Sequence, residues 1–139
     1  MPEQAHELMS LLWTVASVIL GFQITAFIFR LQRETSLPWE ERHFPACEYL
    51  NLVSIALSVA GVFVMPLVWR VHPSTVKGMF TAAMSLFALY PFAVAAHYKI
   101  LFRGTAAGNS DTFCSPLEAI LSVMALLIAG TLGYLASLS

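Results

Sequence analysis

Four long apolar runs constrain the fold of this chain more than any other feature of its sequence. They cover about residues 8–31, 46–69, 79–102 and 116–138. Each run reaches or exceeds the roughly 20 residues that an α-helix needs to cross the hydrocarbon core of a bilayer. Backbone N–H and C=O groups in hydrocarbon must be satisfied within their own segment, so each run is expected to be helical. The sequence therefore predicts an all-α membrane protein with four transmembrane helices.

The composition indicates a single membrane domain over residues 1–139. Hydrophobic residues make up 58% of the chain and charged residues 11%, and the mean hydropathy is +0.75. A soluble domain of this length needs a more polar surface. The formal net charge is −1 and the basic residues are dispersed, so the expected surroundings are lipid and not nucleic acid. The sequence contains no P-loop, Cys-x-x-Cys or His-Glu-x-x-His motif, and no cofactor is expected.

Short connections between successive spans predict an antiparallel, up-and-down bundle. Pro66 and Pro91 fall inside the second and third runs. Each proline removes a backbone hydrogen bond, so both helices are expected to be kinked there. The N-terminus lacks a basic residue, and no small-residue cleavage site follows the first run. We therefore expect the first helix to be retained in the mature protein.

The basic residues predict an orientation in the membrane. Only Arg70 and Lys77 lie on the side that carries both termini and the second loop. The opposite side, with the first and third loops, carries Arg30, Arg33, Arg42, Lys99 and Arg103. Basic loops stay in the cytoplasm, so both termini are expected outside it.

Small and hydroxyl-bearing residues recur in each run at steps of three and four, which places them on one helical face. We call these sets the small-residue stripes of the four helices. They are Ser10, Thr14, Ser17, Gly21 and Thr25; Asn51, Ser54, Ser58 and Gly61; Thr81, Ser85 and Ala88; and Glu118, Ser122, Ala125 and Ala129. Such stripes allow close packing of membrane helices, and Ser and Thr also line water-filled paths. Packing is the default interpretation, and a path is the alternative.

Two polar residues, Gln23 and His97, lie away from these stripes. If the stripes face the bundle interior, both side chains point outward, where an unpaired polar group is costly. If the stripes face neighbouring molecules, both side chains become interior. Either arrangement leaves a second face to be covered, which favours a homo-oligomer. Asn51 lies on a stripe, and we expect it to hydrogen-bond between helices.

Two acids, Glu48 and Glu118, lie in the first turns of the second and fourth helices. A carboxylate there is stabilised by the helix dipole. Glu118 also completes a Ser-x-x-Glu capping box with Ser115. A structural role is the default interpretation for both acids, and a functional site is the alternative.

The two cysteines, Cys47 and Cys114, begin helices on the same side of the membrane. On the cytoplasmic side free thiols are expected, whereas the inverted topology would permit a disulfide. A metal site can be drawn from both cysteines with His43 and His97, but no second paired motif supports it. We therefore predict no metal.

Three short motifs lie in the first half of the chain: Gly21-Phe22-Gln23, Leu37-Pro38 with Arg42, and PLVWRVH at residues 66–72. In these motifs the chain resembles a family of small bacterial four-helix membrane proteins whose function is unknown. This resemblance implies a bacterial inner-membrane setting and implies no activity.

Three functions are compatible with these features. The first, which the hydroxyl stripes and the off-stripe Gln23 and His97 favour, is a homo-oligomeric channel or transporter for a small ion or solute. The second is a non-catalytic accessory or scaffold subunit of a larger membrane complex. The third, a membrane-embedded enzyme, is the weakest, because no activated nucleophile or acid–base pair can be identified.

Overall fold

The computed structural model describes residues 2–36, 38, 45–69, 71–97 and 116–138, and all regular structure in these ranges is helical. The helices are α1 (Pro2–Ser36), α2 (Glu48–Leu57), α3 (Met65–Val68), α4 (Pro73–His97) and α5 (Pro116–Leu138). A π-helical segment, Ser58–Val64, joins α2 to α3, so these three elements form one continuous span. Four helical stretches are long and apolar enough to cross a membrane: His6–Ser36, Glu48–Val68, Pro73–His97 and Pro116–Leu138. This is the architecture of a multi-pass integral membrane protein.

The helices extend beyond some of the apolar runs that predicted them. α1 covers 35 residues and includes polar turns at both ends. α4 begins at Pro73, six residues before the expected position 79, because proline is well suited to the first helical turn. The His72 ring accepts a hydrogen bond from the Ser74 N–H at 3.4 Å, which helps to satisfy this helix start. Hydropathy marks where a helix meets lipid, whereas caps and prolines mark where it begins.

The π-helical segment lies directly before Pro66. A proline in a helix has no N–H to offer the carbonyl four residues earlier, which here belongs to Val62. The Trp13 indole Nε1–H donates to that carbonyl oxygen at 2.8 Å. Pro91, by contrast, lies inside the continuous helix α4. The kinks at both prolines stay predictions.

Glycines allow α4 and α5 to approach closely. A Cβ added to Gly133 would lie 2.8 Å from the Ala82 Cβ and 2.9 Å from the Gly78 carbonyl oxygen. A Cβ added to Gly78 would lie 2.7 Å from the Gly133 carbonyl oxygen. No side chain larger than hydrogen fits at either position without movement. The pair therefore brings the two backbones into contact, as small residues do in membrane bundles.

Two clusters of buried apolar side chains form the core. One joins α2, α4 and α5 and centres on Leu50, Leu86, Tyr90 and Ala129. The other joins α1, the π-helical segment and α4 and includes Ala16 and Val62. α4 contributes to both clusters, so it is the common packing partner of the other spans.

Candidate functional site

Four polar side chains lie buried along the second span, and we call them the polar cluster: Gln23, Asn51, Ser54 and Ser58. Each is at most 1% exposed. The Gln23 amide Nε2 donates to Ser54 Oγ at 2.5 Å, and the Asn51 amide Nδ2 reaches the Gln23 carbonyl oxygen at 3.4 Å. Ser54 Oγ donates to the Ala83 carbonyl oxygen at 2.6 Å. The cluster thus links α1, the second span and α4.

The hydrogen bonds determine which way both amides point. The single Ser54 hydroxyl proton goes to a carbonyl, so Ser54 Oγ can only accept, and the group facing it must be the Gln23 NH₂. The Asn51 NH₂ faces a carbonyl for the same reason. Gln23 Oε1, Asn51 Oδ1 and Ser58 Oγ are then left without a hydrogen-bond partner among the described residues. Buried polar atoms normally have partners, so each of these three oxygens marks a position where a further group would be stabilised.

A second group of side chains, which we call the charged cluster, lies at the start of α2. It consists of Arg30, Glu48, Tyr90, His97 and Glu118. Glu48 is 1% exposed, and its Oε1 lies 2.7 Å from Arg30 Nε. The Tyr90 hydroxyl donates to Glu48 Oε1 and Oε2 at 2.8 and 2.9 Å. Glu48 is therefore held by side chains from α1 and α4.

Glu118 is the second carboxylate of the charged cluster, and it is fully buried. Its Oε1 accepts a hydrogen bond from the Cys47 backbone N–H at 2.7 Å. Its Oε2 lies 2.8 Å from His97 Nδ1. If Glu118 is ionised it can only accept, and the hydrogen of this contact then lies on Nδ1. Glu118 thereby joins the start of α5 to the start of α2 and the end of α4.

The Cys47 thiol is buried and free. Burial raises the pKa of this thiol, and the nearby Glu118 and Glu48 carboxylates raise it further, although Arg30 acts in the opposite direction. The thiol form is therefore stabilised, which makes Cys47 a poor nucleophile. The other cysteine, Cys114, lies outside the described residues, as does Ser115 of the expected capping box.

The structure buries Gln23 completely and His97 partly, and the stripes differ in burial from one helix to another. The stripe of the second helix is buried, as are Glu118, Ala125 and Ala129 of the fourth. The stripe of the first helix, from Ser10 to Thr25, is exposed. The hydroxyls of Thr14, Ser17 and Thr25 donate to carbonyl oxygens of their own helix, as Thr14 does to that of Ser10 at 2.9 Å. Gln23 thus lies on the buried face of α1, opposite its stripe, so neither of the two arrangements considered for the stripes applies to all four helices.

No group of three or more metal-binding side chains occurs within the described ranges. Two members of the metal site drawn from the sequence, His43 and Cys114, lie outside those ranges. The other two, Cys47 and His97, approach the same carboxylate, Glu118, through the Cys47 backbone N–H and the His97 ring.

Sequence reasoning misses two participants in these networks. Arg30 serves there only as a marker of orientation, although it is the ion-pair partner of Glu48. Tyr90, which donates to the same carboxylate, is not singled out by any pattern. A signal for Arg30 is available in the sequence. Arg30 lies at the end of the first apolar run and Glu48 at the start of the second, so the two side chains are expected at the same depth in the membrane.

Comparisons with protein-family models, with curated proteins and with solved structures find no match to this chain.

Proposed function

We propose that this protein is a homo-oligomeric channel or transporter for a small ion or solute, and that the polar cluster lines its path. The observation that carries this proposal is the set of unsatisfied, buried oxygens of Gln23, Asn51 and Ser58. They extend from the first turn of the second span to its midpoint, since Asn51 and Ser58 are the fourth and eleventh of 21 residues. Polar groups in a membrane interior are costly and mark substrate and ion pathways.

The charged cluster would close one end of this path. Glu48, Glu118 and His97 lie at helix ends, and Asn51 follows Glu48 by three residues. Their hydrogen bonds join α1, α2, α4 and α5 at this end. Breaking them would separate the helix ends, which is the kind of rearrangement that opens transporters to one side of the membrane.

The spans would form an antiparallel, up-and-down bundle. The order of their contacts supports this arrangement, because Trp13, Gln23 and Arg30 meet Val62, Ser54 and Glu48 respectively. Residue numbers therefore increase along α1 in the direction in which they decrease along the second span, as in an antiparallel pair. Kinks at Pro66 and Pro91 would provide places for such a bundle to bend.

The exposed stripe of α1 would be the contact between copies. Gly21 has open space around the position of an added Cβ. Small residues at steps of four on an uncovered face favour close pairing of membrane helices. Cross-linking in membranes should therefore give a discrete oligomer, and Gly21→Leu should reduce it. Gly130→Leu is the matched control, because Gly130 is equally uncrowded and lies on α5.

The setting would be a bacterial inner membrane with both termini outside the cytoplasm. The distribution of basic residues in the sequence supports this orientation. The native Cys47 is buried and cannot report it, so the test uses His6→Cys with both native cysteines replaced by serine. An impermeant thiol reagent added to intact cells should label position 6, which is exposed. Labelling only after cell lysis would show that the N-terminus lies in the cytoplasm, which contradicts this orientation.

The transport proposal is tested by flux into proteoliposomes made from the purified protein. Wild type should pass a small ion or solute faster than empty liposomes, and Ser54→Leu should abolish the flux by filling the polar cluster. Thr131→Val is the control, because Thr131 is exposed on α5, away from the polar cluster, and its hydroxyl bonds to the Leu127 carbonyl oxygen of its own helix at 2.8 Å. Absence of flux, together with a second polypeptide in native mass spectra of membrane extracts, would favour the accessory-subunit function instead.

A further inference from the structure

The unsatisfied atoms of the polar cluster share one chemical property. Both amide nitrogens face protein acceptors, and the atoms without partners are the oxygens Gln23 Oε1, Asn51 Oδ1 and Ser58 Oγ. An amide oxygen can accept a hydrogen bond or coordinate a cation, but it repels an anion. The two amide oxygens therefore select a positively charged or hydrogen-bond-donating ligand.

The neighbouring charges favour a cation over a neutral ligand. The charged cluster contains two buried carboxylates, Glu48 and Glu118, against one guanidinium, Arg30, and the His97 ring. The positive end of the α2 dipole lies at the same place and offsets part of the carboxylate charge. Both carboxylates nevertheless lie within about one turn of the helix start, beside Asn51.

We propose that a small monovalent cation binds at the α1–α2 contact with the oxygens of Gln23 and Asn51 among its ligands. Both residues are fully buried, and each contacts the other's helix through its amide nitrogen. Divalent cations in proteins generally recruit carboxylate ligands, whereas neutral carbonyl and hydroxyl oxygens suit dehydrated monovalent ions. This inference rests on the proposed function, because it names the class of ion that would occupy the same cluster.

Binding can be measured without transport, by thermal unfolding of the purified protein in detergent. The probes are sodium and potassium chloride, titrated against choline chloride at constant ionic strength. Trp13 fluorescence is a suitable readout, because its indole contacts Val62 across the α1 interface. We expect Tm to rise saturably with sodium or potassium relative to choline, since a ligand of the folded state stabilises it.

Variants separate a binding role from a packing role. Asn51→Leu should remove the cation-dependent rise in Tm, whereas Asn51→Asp should strengthen cation binding by about tenfold or more, because it adds a buried negative charge. The control is Ser122→Ala, whose hydroxyl also lacks a partner among the described residues but belongs to α5. It should keep the wild-type response. If Asn51→Leu does not fold, Asn51→Asp still tests the proposal.

Equal Tm values in sodium, potassium and choline would overturn the cation site, as would an unchanged response in both Asn51 variants. Flux of a solute by a protein with no cation response would leave the transport proposal standing while refuting this inference. A saturable rise in Tm with sodium or potassium, without flux, would support the cation site and refute the transport proposal.

Discussion

Replacing Tyr90 by phenylalanine tests whether the charged cluster holds the helix ends together. The substitution keeps the ring in the core and removes the hydroxyl that donates to Glu48 at 2.8 and 2.9 Å. One proton is shared between the two carboxylate oxygens, so the loss is that of one hydrogen bond to a charged acceptor. Arg30 remains on Glu48 Oε1, and no cavity of ring size is created.

The expected cost follows from that geometry. Hydrogen bonds to charged groups contribute about 1.5–3 kcal/mol. Interhelical bonds in membrane proteins average only about 0.6 kcal/mol and reach about 1.7, because the unfolded reference state also finds partners. We therefore expect Tyr90→Phe to lower the free energy of unfolding by about 1.5 kcal/mol, or roughly tenfold in the equilibrium constant.

The assay is reversible unfolding in mixed micelles with increasing SDS, followed by tryptophan fluorescence. Tyr134→Phe is the matched control, because Tyr134 is 65% exposed on α5. It should leave the midpoint unchanged. A Tyr90→Phe protein as stable as wild type, or an equal loss in both variants, would refute the account of this cluster.

Three further predictions concern packing, charge and thiol chemistry. Gly133→Ala should destabilise the protein by about 1–3 kcal/mol through overpacking, since its Cβ would lie 2.8 Å from a side-chain carbon of α4. Gly130→Ala is the control and should leave the stability unchanged, because the added Cβ would enter open space. Equal SDS unfolding midpoints for the two variants would contradict the overpacking. Arg30→Gln should cost about 3–5 kcal/mol because it leaves Glu48 buried without its cation, and the double variant with Glu48→Gln should recover much of that loss in the same assay. Cys47 should react slowly with maleimide until the protein unfolds. Rapid labelling of the folded protein would disprove this burial of the thiol. Because the pKa of Cys47 is raised, the stability that the thiol contributes is complete below its ordinary pKa of 9.0 and declines as pH rises further. Unfolding measured as a function of pH can check this decline.

The four spans could be predicted because the signal for them is local. Any helix in lipid must be apolar over its own length, so hydropathy alone locates it. The fourth predicted span, 116–138, coincides with α5. The start of α4 at Pro73 and the polar ends of α1 could not be found this way, since they extend past the lipid boundary.

The candidate site could be predicted only in part because its contacts join distant positions. The sequence predicts that Asn51 bonds between helices, and its amide does reach the Gln23 carbonyl oxygen of α1. The sequence also sets Gln23 apart from the stripe of its helix. Which face of α1 turns inward depends on its partner, Ser54, 31 residues away. The helix dipole explains Glu48 from its own helix alone, whereas its partner Arg30 lies on the preceding helix.

The central claim is that the buried face of the second span is a path through the membrane and the stripe of α1 is not. Its most direct test is the reaction of Ser58→Cys with a small cationic thiol reagent in proteoliposomes, in a background with both native cysteines replaced by serine. Ser58 is 1% exposed and lies at the midpoint of its span, whereas Ser17 is exposed on α1. The account predicts that Ser58→Cys reacts and stops the flux, and that Ser17→Cys does neither. Reaction at position 17 alone, or an unreactive Ser58→Cys during measurable flux, would contradict it.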